Sequence, residues 1–186
     1  MEMTGEQLIA VPQPRVWEAL NDPEALKACI PGCESIERVS DTEYRVAITA
    51  AVGPVRAKFN GKLLLADVKP PNSYTLSFEG SGGAAGFGKG SARVALAPGG
   101  AGTKLTYTAS AQVGGKLAQV GSRLVDGVAK KMADEFFQRF NERLAGPAPA
   151  APEEAAVSVA KGPWLTGLWA FLIALVVVFL LIWLLR

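Results

Sequence analysis

The stretch LAQVGSRLVDGVAKKMADEFFQRFNERL, residues 117–144, decides the fold. Its large apolar residues recur at intervals of three and four, and most charged residues fall away from that stripe. This spacing predicts one long amphipathic helix that needs another element to cover its apolar side. The stripe consists of Leu117, Val120, Leu124, Val128, Met132, Phe136, Phe140 and Leu144.

The chain before this helix alternates with a period of two from Cys33 to Val113. Apolar and polar residues alternate in 44–50 and 55–63, and Gly and Pro turn signals separate such segments. Short connections make neighbouring strands antiparallel. A first strand is predicted at 6–11, and short helices at 15–20 and 24–28. The predicted fold class is α+β, with a curved antiparallel sheet of about six to seven strands around one long C-terminal helix and two short helices after the first strand.

Residues 164–185 contain no charge and consist mainly of Leu, Val, Ile, Phe, Ala and Trp. At about 1.5 Å per residue, this stretch is long enough to cross a hydrocarbon core of about 30 Å. We therefore predict a transmembrane helix as the last element of the fold. The predicted domains are a ligand-binding domain at 1–145, a flexible Pro/Ala-rich linker at 146–163 and a membrane anchor at 164–186. No secretory signal pattern opens the chain, so we expect the cytoplasmic membrane, with the domain in the cytoplasm.

Composition excludes several kinds of chemistry. The chain has no histidine, the commonest general base and metal ligand. Cys29 and Cys33 have no second pair at metal-ligand spacing, so they are interpreted as ordinary thiols. The run Ser81–Gly90 lacks the Lys-Ser/Thr pair of a phosphate loop and joins two predicted strands, which indicates a flap with Phe87 at its tip. We expect no catalytic residues, no metal site and no enzymatic activity.

Small residues on the inward side of the predicted sheet, such as Gly61, Gly88 and Ala92, indicate a cavity between helix and sheet. The alternative is that they only permit sheet curvature and close helix packing. If the cavity exists, Ile30 and Pro31 are expected at its mouth together with Phe87. The predicted ligand-binding residues are Tyr44, Phe59, Leu63, Phe78, Phe87, Tyr107, Leu124, Val128 and Met132.

Two stretches carry a resemblance to a known family. VWEALNDPEALKACIPGC at 16–33 and GGKLAQVGSRL at 114–124, with Glu135, Phe136 and Phe137 further on, resemble the G-subunit family of carbon monoxide dehydrogenase. The resemblance implies a START-like (SRPBCC) helix-grip fold, which commonly holds a hydrophobic ligand between helix and sheet. It implies a molybdenum hydroxylase of the carbon monoxide dehydrogenase type as partner, and a link between that enzyme and the membrane or its quinone. It brings no agreed catalytic residues.

Two functions remain open at this stage. The first is a membrane-tethered accessory protein that carries a hydrophobic small molecule, a quinone or a membrane lipid, bound without a covalent link. A tyrosine hydroxyl could then hydrogen-bond a quinone carbonyl. The second is a recruitment or assembly adaptor that anchors the dehydrogenase without a ligand. The formal net charge of +2 and the absence of a polybasic stripe give no reason to expect a nucleic-acid partner.

Overall fold

A computed structural model of the protein describes residues 1–146. Seven strands and four α-helices follow one another in this part of the chain. The strands are β1 (Glu2–Ile9), β2 (Cys33–Arg38), β3 (Glu43–Val52), β4 (Val55–Lys69), β5 (Ser73–Ser81), β6 (Phe87–Gly99) and β7 (Gly102–Gly114). The helices are α1 (Gln13–Leu20), α2 (Pro23–Cys29), α3 (Lys116–Gln119) and α4 (Ser122–Ala145), and a short 3₁₀ turn occupies Gly83–Ala85.

The strands form one antiparallel sheet in the order β1-β7-β6-β5-β4-β3-β2. Strands β2 to β7 are a meander, and β1 closes the edge by pairing with β7. Because side chains alternate between the two faces, the register places Tyr44, Leu63 and Phe78 on one face. We call this the inner face, since the same face carries the buried residues Tyr74 and Val94.

The residues on either side of α2 explain where this helix begins and ends. Asp22 precedes α2, and its carboxylate accepts hydrogen bonds from the backbone N–H groups of Glu24 and Ala25, at 3.1 and 3.2 Å. Pro23 fills the first helical position, where its missing N–H has no consequence. The chain leaves α2 through Ile30 and reaches β2 by way of Gly32, whose φ of 71° suits glycine.

The main core lies between the sheet and the C-terminal half of α4, residues 134–145. Phe140 is fully buried there, and its ring stacks on Phe136 at 5.5 Å between centroids. Tyr107 of β7 stacks on Phe137 at 5.4 Å. The buried members of this cluster are Ile9, Val16, Leu20, Cys29, Tyr74, Val94, Leu96, Leu105, Phe137 and Phe140.

The predicted fold class is wrong in its last element. It ended in a transmembrane helix, whereas no helix within residues 1–146 is long and apolar enough to cross a membrane. The longest, α4, carries charged residues along its length, as an amphipathic helix does. The predicted anchor, 164–186, and all of the predicted linker except Gly146 lie outside the described residues.

The covering helix is also not continuous over 117–144. α3 ends at Gln119, and α4 begins only after Gly121, whose φ of 92° is not helical. This break changes the direction of the residues that follow it. Leu124, a member of the predicted stripe, is 43% exposed, whereas its neighbour Val125 is partly buried.

Candidate functional site

A row of glycines crosses the inner face of the sheet near the end where α4 begins. Gly61 of β4 pairs with Gly80 of β5, and Gly80 pairs with Gly88 of β6. Three adjacent strands therefore present no side chain to the interior along this row. Val46 and Val113 stand at its two ends.

Two aromatic rings lie on either side of this glycine row. Phe59 lies two residues before Gly61 on β4, and a Cβ atom at Gly82 would overlap its ring. Phe78 lies two residues before Gly80 on β5, and a Cβ atom at Gly90 would lie 2.6 Å from its Cζ. Glycine is thus needed at positions 82 and 90 for these rings to lie flat along the sheet.

The glycine row and the two rings bound an apolar cavity of about 250 Å³. Roughly 150 Å³ of apolar cavity can take up benzene, so this space is large enough for a ring with a short chain attached. Lys62 and Glu79 border it, but they alternate to the outer face, where they form an ion pair of 3.0 Å. The lining residues are Val46, Ile48, Ala50, Val52, Phe59, Gly61, Lys62, Leu63, Phe78, Glu79, Gly80, Gly88 and Leu117.

The N-terminal half of α4, residues 122–133, does not fill this space. Every residue from Ser122 to Phe136 is exposed or only partly buried, whereas Phe137 is buried and Phe140 is fully buried. Leu124 touches the β3–β4 turn, because a Cβ atom at Gly53 would lie 2.7 Å from its Cδ2. α4 is therefore packed closely against the sheet at its C-terminal end and only loosely at its N-terminal end.

The structure brings three of the predicted binding residues together, Phe59, Leu63 and Phe78. The helix residues Leu124, Val128 and Met132 do not line the cavity; the last two are partly buried on α4.

Neither of the predicted tyrosines lines the cavity. Tyr44 is 2% exposed, and its hydroxyl donates to the backbone oxygen of Asn21 at 3.3 Å. Tyr107 borders a separate cleft of about 330 Å³ between β1 and α4, which also contains Lys130 and Asp134. Burial raises the pKa of Tyr107, the charge of Asp134 raises it further, and that of Lys130 opposes both.

The residues predicted at the mouth have other positions. Phe87 begins β6 on the outer face, is 48% exposed, and its ring covers Gly114. Ile30 packs against a second buried cluster that contains Ile36 and Val46, and Pro31 is partly buried. The segment before Phe87 is a short 3₁₀ turn that begins at Gly83.

Sequence reasoning missed several residues of the cavity. Val46 and Ile48 belong to the alternation that identified β3, so their inward direction was available. Gly80 gave no separate signal, because its alignment with Gly61 and Gly88 depends on the register between strands.

The two cysteines lie apart from the cavity. Cys29 is 1% exposed within the main core, where burial raises the pKa of its thiol and Arg143 and Arg139 partly oppose the rise. The thiol of Cys33 donates to the backbone oxygen of Ser35 at 3.5 Å. Within residues 1–146, no group of His, Cys, Asp and Glu is arranged to hold a metal ion.

A long helix held against a curved antiparallel sheet, with an apolar cavity at one end of the sheet, defines a START-like, helix-grip protein. The model of one family, described as the G subunit of carbon monoxide dehydrogenase (CoxG), matches residues 5–145. The chain therefore belongs to this CoxG family, as the sequence resemblance predicted. The family name implies association with carbon monoxide dehydrogenase.

Solved structures agree with this assignment. A conserved protein from Geobacillus kaustophilus is 34% identical, with a TM-score of 0.73 over 78% of this chain and 95% of that chain. A protein from Thermus thermophilus is 19% identical, with a TM-score of 0.61 over 80% and 99% of the two chains. A protein from Rhizobium leguminosarum is 16% identical, with a TM-score of 0.59 over 77% and 93%. The last two share the fold alone. No curated protein matches the sequence.

Proposed function

We propose that this protein is an accessory subunit of a carbon monoxide dehydrogenase-type molybdenum hydroxylase and carries a hydrophobic molecule of the quinone or lipid class. The observation that carries the proposal is the glycine-floored apolar cavity between Phe59 and Phe78. The family name supports the choice of partner, and the cavity supports the binding of a ligand.

The lining supports recognition of an apolar shape. The side chains that face the cavity carry no hydrogen-bond donor, since Lys62 and Glu79 point to the outer face. A ligand would therefore be held by burial of its apolar surface, at about 25 cal/mol per Å². The volume suits a ring and a short chain, so a longer isoprenoid tail would extend beyond the cavity. No tyrosine of residues 1–146 lines the cavity, so the expected hydrogen bond from a tyrosine hydroxyl to a quinone carbonyl has no donor there.

The test is to purify the full chain from cells that make quinone, record its native mass spectrum and analyse an organic extract. We expect one quinone or lipid per chain. The variant Gly88→Val should lose the ligand, because its methyl groups would occupy the cavity; the nearest atoms to a Cβ there are 4.0 Å away. The matched control is Gly127→Val in α4, where a Cβ has no neighbour within 4 Å.

The same measurement separates a carrier from an adaptor. A native chain without ligand, which still binds the dehydrogenase, would contradict the carrier and leave recruitment as the function. Retention of ligand by Gly88→Val would place the ligand elsewhere, for example in the cleft beside Tyr107.

We further propose that the protein works at the cytoplasmic membrane. The support is the uncharged sequence of 164–185, which has the apolar composition of a lipid-contacting segment. In cell fractionation, the full chain should accompany the membranes, and a chain ended at Ala145 should do so in a smaller fraction. Equal distribution of the two chains would contradict this location.

A further inference from the structure

We propose that the end of the sheet around the cavity is a docking surface for an anionic lipid bilayer. This goes beyond the carrier proposal, because it assigns a lipid-contacting face whether or not the cavity holds a ligand. Three segments form this face, 51–56, 81–89 and 112–124, and we call them the rim. They contain the β3–β4 turn, the β5–β6 turn and the β7–α4 connection.

The topology brings the three rim segments to one end of the sheet. β3, β5 and β7 all finish there, because each is antiparallel to its neighbours β4 and β6. Direct contacts join the segments: the backbone at Gly115 lies against Gly86, and Leu124 touches the β3–β4 turn at Gly53. Each segment also gives one residue to the cavity lining, Val52, Gly88 and Leu117.

The rim carries positive charge and no negative charge. Its four cations are Arg56, Lys89, Lys116 and Arg123, and none of them forms an ion pair within residues 1–146. Acidic residues stand at its border: Glu79 lies directly across from Lys89 but pairs with Lys62, Glu2 borders the same outer groove as Lys89, and Asp126 follows Arg123 by three residues. A surface of this charge is attracted to anionic headgroups.

The rim also exposes apolar side chains beside these cations. Phe87 is 48% exposed and Leu124 is 43% exposed. Exposed apolar residues near the opposite end of the sheet differ in their charge surroundings. Leu8 follows Glu6 by two residues, and Val68 follows Asp67 directly. Within residues 1–146, the rim therefore combines exposed Phe and Leu side chains with four cations that form no ion pair, and membrane-surface segments use this combination of apolar and basic residues.

An acidic protein surface could meet the same cations, but the observations favour lipid. Aromatic and aliphatic side chains beside basic ones suit the boundary between headgroups and acyl chains. In addition, the same chain carries the apolar sequence 164–185, joined to α4 by the 18 residues 146–163. A bilayer is therefore the partner whose chemistry matches both parts of the chain.

The test measures which end of the domain faces the bilayer. Ala84 in the rim and Ala101 in the β6–β7 turn are both exposed, and they lie beyond opposite ends of β6. At about 3.3 Å per residue, β6 separates them by roughly 40 Å. Each is changed singly to Cys, in a full chain with Cys33→Ser, and labelled with a fluorophore that reports the polarity around it. Cys29 is buried and should not react.

We expect the fluorophore at Ala84→Cys to shift to the blue, and to resist aqueous quenchers, on vesicles of phosphatidylcholine with phosphatidylglycerol. The fluorophore at Ala101→Cys should remain in water. The shift should fade on phosphatidylcholine alone, and in about 1 M salt, where the screening length is about 3 Å. The double variant Lys116→Glu/Arg123→Glu should lower the ratio of bilayer-facing to water-facing fluorophore at least about tenfold.

The control is Lys27→Glu/Lys69→Glu, two exposed cations outside the rim, which should leave the ratio unchanged. Equal shifts at both positions, no shift at Ala84→Cys, or equal effects of the two double variants would overturn the proposal. A shift produced by the dehydrogenase without vesicles would assign the rim to a protein partner instead. Co-flotation of the full chain with vesicles is recorded separately, so loss of membrane attachment is distinguished from wrong orientation. Analysis of the ligand in an organic extract shows separately whether the carrier function has failed.

Discussion

The two halves of α4 meet the same sheet under different conditions. Beneath residues 134–145 the sheet offers Leu105, Tyr107 and Val94, and Phe137 and Phe140 pack against them. Toward the end where residues 122–133 lie, the inner face carries Gly61, Gly80 and Gly88. Because these residues have no side chain, a cavity remains there. Amphipathic spacing along the helix is similar in both halves. The size of the side chains on the sheet therefore decides whether the helix closes a core or covers a cavity.

The largest loss of stability is expected from Phe140→Ala, in the packed half of α4. Phe140 is 0% exposed in the packed half, so its removal leaves a void that the surrounding rings cannot fill. We expect a loss of about 3–5 kcal/mol in the free energy of unfolding. Denaturant unfolding measures it, with Leu124→Ala as the control in the loosely covered half. Because Leu124 is 43% exposed, that change should cost less than about 1 kcal/mol. Similar losses for both variants would mean that the two halves are equally packed.

The glycine row can be tested one position at a time. A Cβ at Gly61 would overlap the carbonyl oxygen of Glu79, so Gly61→Ala must displace a neighbouring strand. We expect it to cost about 1–3 kcal/mol in denaturant unfolding. A Cβ at Gly88 has its nearest atoms 4.0 Å away, so Gly88→Ala should change stability by less than about 0.5 kcal/mol. If both variants are neutral, close strand approach at Gly61 does not hold the sheet in shape.

Much of this arrangement follows from the sequence, and the rest depends on contacts between strands. Alternation predicted the strands later seen as β3 and β4, and it placed Phe59, Leu63 and Phe78 on the inner face. The glycine row could not be predicted, since it requires the register of three strands at once.

The long C-terminal helix was predicted, but the direction of its first residues was not. Its existence followed from periodicity, but the direction of Leu124 did not, because the positive φ of Gly121 interrupts the helix that the stripe assumed. Phe87 was assigned to the tip of a flap, whereas it begins β6, and the inward position of Gly88 directs it outward.

Alkaline pH should weaken the packed half through its buried acids. Burial raises the pKa of the Cys29 thiol and of the Tyr74 hydroxyl, so both ionise more readily in the unfolded chain. The contribution of these two neutral groups to the free energy of unfolding is complete below the unfolded thiol pKa of about 8.5. It is lost as the pH rises toward the folded-state values, by at most about 1.4 kcal/mol from Cys29 near pH 9.5.

The measurement is the slope of unfolding free energy against pH between about 7 and 10. Cys29→Ala should flatten that slope, whatever its effect on stability at neutral pH. Ligand retention should stay constant while the protein is native, because no inward-facing residue of the cavity ionises. A slope unchanged by Cys29→Ala would mean that other groups control alkaline unfolding.

The variant Gly127→Ala tests whether helix propensity limits the stability of the loosely packed half of α4, residues 122–133. A Cβ at Gly127 meets nothing within 4 Å, so the change alters helix propensity without altering packing. Alanine in a helix interior is favoured over glycine by about 0.5–1 kcal/mol. We expect amide hydrogen exchange to slow in residues 122–133 and to change little in 134–145, because packing already stabilises the latter. Faster exchange in 122–133 would contradict the open arrangement, since it would mean that Gly127 approaches the sheet and that α4 closes over the cavity.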